Sequence, residues 1–169
     1  MTDANRFDRR TVVRTIGGTA LAVSLAGCAG DEEPDEEPAE EPEDEALEPP
    51  TAVDDFLTDN DATGYDGEMV DATGQDELTV EVGADGGLAF APVAVAIDAG
   101  TTVTFEWTGD GGGHNVVAAE DSDIDVDVEE EIVDDAGHSA EHTFEEPGNY
   151  LYICEPHIAQ GKVGAIVVE

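Results

Sequence analysis

Apolar and polar positions alternate over short stretches through the C-terminal half of the chain, the period of strands that keep one face dry. Leu78, Val80 and Val82 alternate within Glu77–Val82, and Val103, Phe105 and Trp107 share one face of Thr101–Trp107, opposite Thr104 and Glu106. Further strands are expected at Val93–Ile97, His114–Val117 and Asn149–Cys154, with a fully apolar closing strand at Val163–Val168. Ile124, Val126 and Val128 alternate with Asp125, Asp127 and Glu129, which predicts one more strand with an acidic outer face inside Asp121–Asp135. Reading that segment as a calcium loop fails, because Val128 stands where such a loop needs glycine. Turns fall at Gly83–Gly87, Asp98–Gly100 and Pro147–Gly148. Seven or eight short strands separated by such turns predict an all-β, antiparallel Greek-key sandwich. Thr51–Gln75 is polar and turn-rich, with Phe56, Leu57, Tyr65, Met69 and Val70 as its apolar points, and is expected to be an irregular lead-in at the domain edge.

The N-terminal part is of another kind. Arg9 and Arg10 precede an apolar run from Thr15 to Cys28 that is too short and too rich in small residues to be a permanent membrane span. This arrangement resembles a twin-arginine (Tat) export signal, and Leu25 to Cys28 resembles a lipobox, which would leave Cys28 as the lipid-bearing first residue. Ala29 to Pro50 is acidic and proline-rich with nothing to bury, as expected of an extended, self-repelling tether. The chain thus divides into a signal (1–27), a lipidated cysteine with its acidic linker (28–50) and a folded domain (51–169). The expected location is the outer face of the cell membrane.

Charge narrows the partners. The 43 acidic side chains face only 5 Lys plus Arg, a formal net charge of -38. Nucleic acid and anionic headgroups are excluded as direct partners. Four of the five cations lie before residue 15, so removal of the signal leaves Lys162 alone, at about -40. Such an excess is tolerable where molar salt cuts the Debye length to roughly 3 Å, which points to an extreme halophile. Disorder is excluded for the C-terminal half by its strand periodicity.

With Cys28 acylated, Cys154 has no disulfide partner, and an unpaired thiol outside the cell requires burial or a ligand. Cys154-x-x-His157 brings a thiolate and an imidazole onto one tight loop stiffened by Pro156. A blue-copper centre needs a second imidazole, to be drawn from His114, His138 and His142; the last two lie in an acidic segment expected at the surface. Several stretches then carry a family likeness: Gly87 to Pro92, Gly100 to Val103, Trp107 to Gly109, His114 to Val117, His142 to Phe144, Pro147 to Tyr150 and Tyr152 to His157. From about Asp54 to Glu169 the chain resembles the halocyanins, the haloarchaeal branch of the small blue copper proteins related to plastocyanin. The resemblance implies one copper ion held by His114, Cys154 and His157, and single-electron transfer between redox proteins of a respiratory chain by a membrane-tethered monomer, not an enzyme. Asn115 is expected to bond the backbone of the Cys154 loop.

One position departs from the family pattern. Where the family places a weak axial methionine after a glycine, Gly161 is followed by Lys162. A charged ammonium has no lone pair to give, so Lys162 is expected to turn to solvent beside a three-ligand site, with the Gly113 carbonyl or the Gln160 side chain as other axial candidates. Met69 is a poor substitute. The competing function is a lipoprotein of the same fold with a degenerate site, binding copper or zinc without redox work. A copper enzyme of the nitrite reductase kind would need a second set of histidines that His138 and His142 do not supply.

Overall fold

A computed structural model describes residues 46–169. The expectations for the export signal, for Cys28 and for most of the tether fall outside the described residues. Eleven strands form two facing sheets: β1 (Ala46–Leu47), β2 (Met69–Asp71), β3 (Glu77–Gly83), β4 (Ala89–Ala91), β5 (Ala94–Ile97), β6 (Thr101–Trp107), β7 (His114–Ala118), β8 (Glu129–Val133), β9 (Ser139–Phe144), β10 (Gly148–Ile153) and β11 (Val163–Val168). One sheet runs β1-β2-β5-β11-β10-β7-β8 and the other β4-β3-β6-β9. The space between them holds Val80, Phe90, Ile97, Phe105, Trp107 and Tyr152, each at most 1% exposed. Tyr152 meets Phe90 and Phe105 edge-on at 4.8 and 5.5 Å, the T-shaped geometry aromatic quadrupoles favour.

The all-β sandwich is as expected, but its pairing is mixed, not purely antiparallel. β3 pairs parallel with β6, and β5 is parallel to both β2 and β11. The chain leaves β3 through β4, crosses to the other sheet as β5 and returns as β6 in the direction of β3, so a parallel pair results.

Three local expectations are corrected. Thr51–Asp59 is an α-helix, α1, not an irregular lead-in. It starts directly after Pro50, and Val53, Phe56 and Leu57 form the three- and four-residue stripe that packs a helix onto a flat surface. That surface is the outer face of the larger sheet, where Val53 and Leu57 meet Ala96, Leu151, Ala165 and Val167. β11 is therefore covered on both sides, which is why it reads as an unbroken apolar run. β1 lies within the stretch expected to be tether; its two residues pair with β2 at Ala46↔Val70 and Leu47↔Met69 because Leu47 has the helix layer to pack against. The strand expected around Ile124–Val128 is absent, and β8 starts only at Glu129. Ile124, Val126 and Val128 do pack on the core, but apart from Val128 N donating to Val116 O of β7 (3.1 Å) the backbone there is held by side chains: Tyr150 Oη donates to Val126 O at 2.8 Å and Ser122 Oγ to Ile124 O at 2.7 Å. Among the described residues no helix is long and apolar enough to cross a membrane.

Candidate metal centre

At one end of the sandwich, β10 runs into Cys154 and a 3-10 helix, Glu155–Gln160, with Pro156 in its first turn. The loop closes on itself. His157 N donates to Cys154 O (3.0 Å), Lys162 N to His157 O (3.2 Å) and Cys154 N to Lys162 O (3.0 Å). Gly161 ends the helix at φ 79°, and a side chain there would run into the Asp61 carbonyl. Asp61 to Thr63, the turn after α1, braces the loop from outside: Thr63 N donates to Gly161 O (2.9 Å) and Thr63 Oγ1 to Gln160 O (3.1 Å). Asn115 binds the loop from inside, as expected, with Glu155 N donating to its Oδ1 (2.9 Å) and its Nδ2 donating to Glu155 Oε2 (2.7 Å).

The opposite wall carries His114, the first residue of β7. A bulge between His114 and Val116 breaks the register with β8, so His114 and Asn115, adjacent in sequence, are both buried. The His114 carbonyl accepts the indole N–H of Trp107 (3.2 Å). Its ring Nε2 lies 2.7 Å from the Asp110 carbonyl. A carbonyl only accepts, so the proton sits on Nε2 and the lone pair on Nδ1 faces the cleft.

Three donor atoms converge there. His114 Nδ1 is 3.1 Å from His157 Nδ1, and Cys154 Sγ is 3.6 and 3.5 Å from those two nitrogens. A point equidistant from all three lies about 2 Å from each, close to metal–imidazole and metal–thiolate bond lengths. Two imidazoles and one thiolate in a trigonal arrangement are the donor set that suits copper, so the residues present fit that ion. Burial lowers the pKa of His114 and of His157, with Lys162 adding to both shifts, and keeps the rings neutral with lone pairs available. Burial raises the pKa of the Cys154 thiol, so a proton must leave when a metal binds. His114 and Cys154 are inaccessible to solvent, whereas His157 is half-buried and forms the exposed edge of the cluster.

Lys162 overturns its expectation. It is wholly buried instead of turned to solvent. Its Nζ donates to Gly87 O at 3.0 Å and sits 5.2 Å from the centroid of the Phe90 ring, a hydrogen bond and a cation–π contact that offset part of its desolvation. Burial pushes its pKa down to about 8, against the pull of Cys154, so the ammonium is charged at neutral pH. The other candidates divide as follows. Gly113 packs beneath Ile132, Gln160 is exposed, and Met69 belongs to the helix-side cluster and not to the core cluster that contains Cys154. His138 pairs with Glu129 (3.1 Å) and packs edge-on to Trp107, and His142 packs against Phe144. Sequence reasoning missed the carbonyls of Asp110 and Gly87 and the brace at Thr63. Only the density of glycines around the first two could have hinted at them.

A β-sandwich closing two imidazoles and one thiolate around a single point defines a mononuclear copper protein. Residues 76–169 match the family described as copper binding proteins, plastocyanin/azurin family, and the chain belongs to that family. It is 51% identical to the halocyanin of Natronomonas pharaonis over 96% of this chain and 98% of that protein. It is 38% identical to the plastocyanin of Scenedesmus fuscus, over 55% of this chain and all of that protein. A solved structure of an amicyanin mutant in its Cu(I) form overlays with a TM-score of 0.46 at 23% identity, covering 56% of this chain and 83% of that chain. The family's cofactor is copper, and its members are electron carriers, not enzymes.

Proposed function

We propose that this chain carries single electrons between redox proteins at the outer face of the cell membrane, with one copper ion held by His114, Cys154 and His157. The observation that carries this reading is the convergence of the three donor atoms, with the His114 lone pair already directed into the cleft. Copper bound there supplies one-electron exchange between Cu(I) and Cu(II). The protein's part is to keep the donors from moving. The closed Cys154 loop, the Asn115 tie and the Asp110 carbonyl hold each donor whether or not the ion demands it, and the buried faces of Cys154 and His114 keep water away. The partly exposed His157 ring is the short way in and out for an electron. The Gly113 carbonyl would be a further, weak oxygen donor to the ion, and Lys162 would not be a ligand while it is charged.

Adding Cu(II) to the purified full chain should give an intense blue absorption that Cys154→Ser abolishes. A colourless product that holds zinc equally well would favour the non-redox reading. The twin-arginine motif and the Leu25 to Cys28 box support a lipid anchor on Cys28 after Tat export, and the acidic excess supports a setting of molar salt. Cells expressing the wild type should retain it with their membranes, and Cys28→Ser should release it; equal release of both would refute the anchor.

A further inference from the structure

We infer that Lys162 is a positioning residue for His114: its buried ammonium clamps the Gly83–Leu88 turn to the metal end and thereby fixes the carbonyl that holds the imidazole. The inference rests on the copper reading for its use, though not for its geometry. Lys162 Nζ, in a wholly buried residue, donates its one hydrogen bond among the described residues to Gly87 O. Gly87 in turn lies directly on the loop before His114. A Cβ on Gly87 would meet Gly111 N at 2.6 Å and Asp110 O at 2.7 Å, and one on Gly111 would meet the Gly87 carbonyl carbon and oxygen at 3.0 Å. The next contact in the series is His114 Nε2 on Asp110 O.

Two glycine turns in bare backbone contact have no interlocking side chains to set their spacing. Thr108 Oγ1, donating to Gly83 O at 3.0 Å, ties them at one end. The Gly87 end is held from the other side: the Lys162 ammonium anchors that turn to the end of the Cys154 loop, leaving Gly87 pressed against Gly111 and Asp110, and a charge-assisted hydrogen bond in a dry site is stiffer than a neutral one. The Phe90 ring, its centroid 5.2 Å from Nζ, completes the clamp by holding the cation at the Gly87 oxygen. Replacing the ammonium with a hydrocarbon strands that oxygen and frees the turn. The family pattern puts a weak metal ligand at this position; here the same position acts on the metal from behind, through the ring of His114.

The test is hydrogen exchange followed by NMR on the ¹⁵N-labelled full chain without metal. In Lys162→Leu, the His114 Nε2–H and the amides of Gly111 to Gly113 should exchange about tenfold faster, while the amides of Val163–Val168 keep their wild-type rates. Lys162→Met, unbranched and closer in length, should behave the same way in the metal-free state. Copper affinity of the Leu variant should fall about tenfold, the low end for loss of an outer-shell partner. Unchanged exchange at His114 would overturn the clamp and leave Lys162 as a charge alone. Uniform acceleration that includes the Val163–Val168 amides would overturn it as well, since it would mean general loosening. A wild type that never turns blue would refute the copper reading, yet the metal-free exchange would still decide the clamp.

Discussion

The two walls of the metal site are built on opposite plans. The Cys154–Lys162 wall is contiguous in sequence, closed by its own backbone hydrogen bonds and braced from both sides by Asn115 and Thr63. The His114 wall is assembled from two distant glycine turns that touch backbone to backbone, with a single carbonyl holding the ring. The first wall owes its shape to local bonds and survives small insults; the second depends on a spacing that is held at its ends, by Thr108 and Lys162, and not along the contact itself. A redox site needs both walls equally still, because a donor that shifts between oxidation states adds to the barrier for the electron.

The largest effect should come from the spacing-dependent wall. Gly87→Ala places a methyl group against Gly111 at a φ of 100°, which should destabilise the protein by about 2–4 kcal/mol and broaden or shift the blue band; a thermal melt and a spectrum matching the wild type would break the comparison. Asn115→Ala strips the loop of its inner brace and strands the Glu155 N–H, for which about 1–3 kcal/mol is expected by chemical denaturation. Because the rest of the loop closes on itself, the blue band of that variant should keep its position. Lys162→Met strands the Gly87 oxygen but also removes a buried charge, so its net effect on stability should be the smallest of the three, with a distinct effect on the metal. It removes a buried positive charge beside the donors, which would favour Cu(II), and a thioether reaching the ion would add to that, so the reduction potential should drop while the blue band persists, as read by voltammetry at constant high salt. A potential that stays put or rises would contradict this account of the site's electrostatics.

The difference between the walls is also the difference between what could and could not be read from the amino acids. The Cys154–His157 spacing, Pro156 and Gly161 are local signals, and the structure keeps them where they were expected. The sheet strands were legible wherever alternation and ladder coincide, as in Thr101–Trp107. They misled at Ile124–Val128, where alternate burial is achieved by side-chain anchoring without a partner strand. α1 was overlooked because three apolar residues in a polar stretch form a stripe only when wound at helical pitch, and the sheet that rewards the stripe is completed by residues a hundred positions later. Lys162 is the deepest miss. Nothing near it in sequence announces an acceptor, since Gly87 and Phe90 reach it only through the tertiary fold.

The outer strands carry one more consequence, for how this protein behaves in a crowd. An unpaired strand edge invites another chain to add to it, and the usual guard is charge. β8 carries Glu129, Glu130 and Glu131 on the rim of the larger sheet, but at 1 M salt their mutual repulsion would reach only about 3 Å. What remains is shape, and it guards the edges unequally: β4 has three residues and the bulge beside His114 breaks the run of β7 against β8, whereas β9, the other edge of the smaller sheet, is a six-residue strand. The irregularity that buries His114 thus also leaves β8 a poor template for a neighbour, so that at molar salt, where charge would be screened, geometry would still limit pairing along that edge.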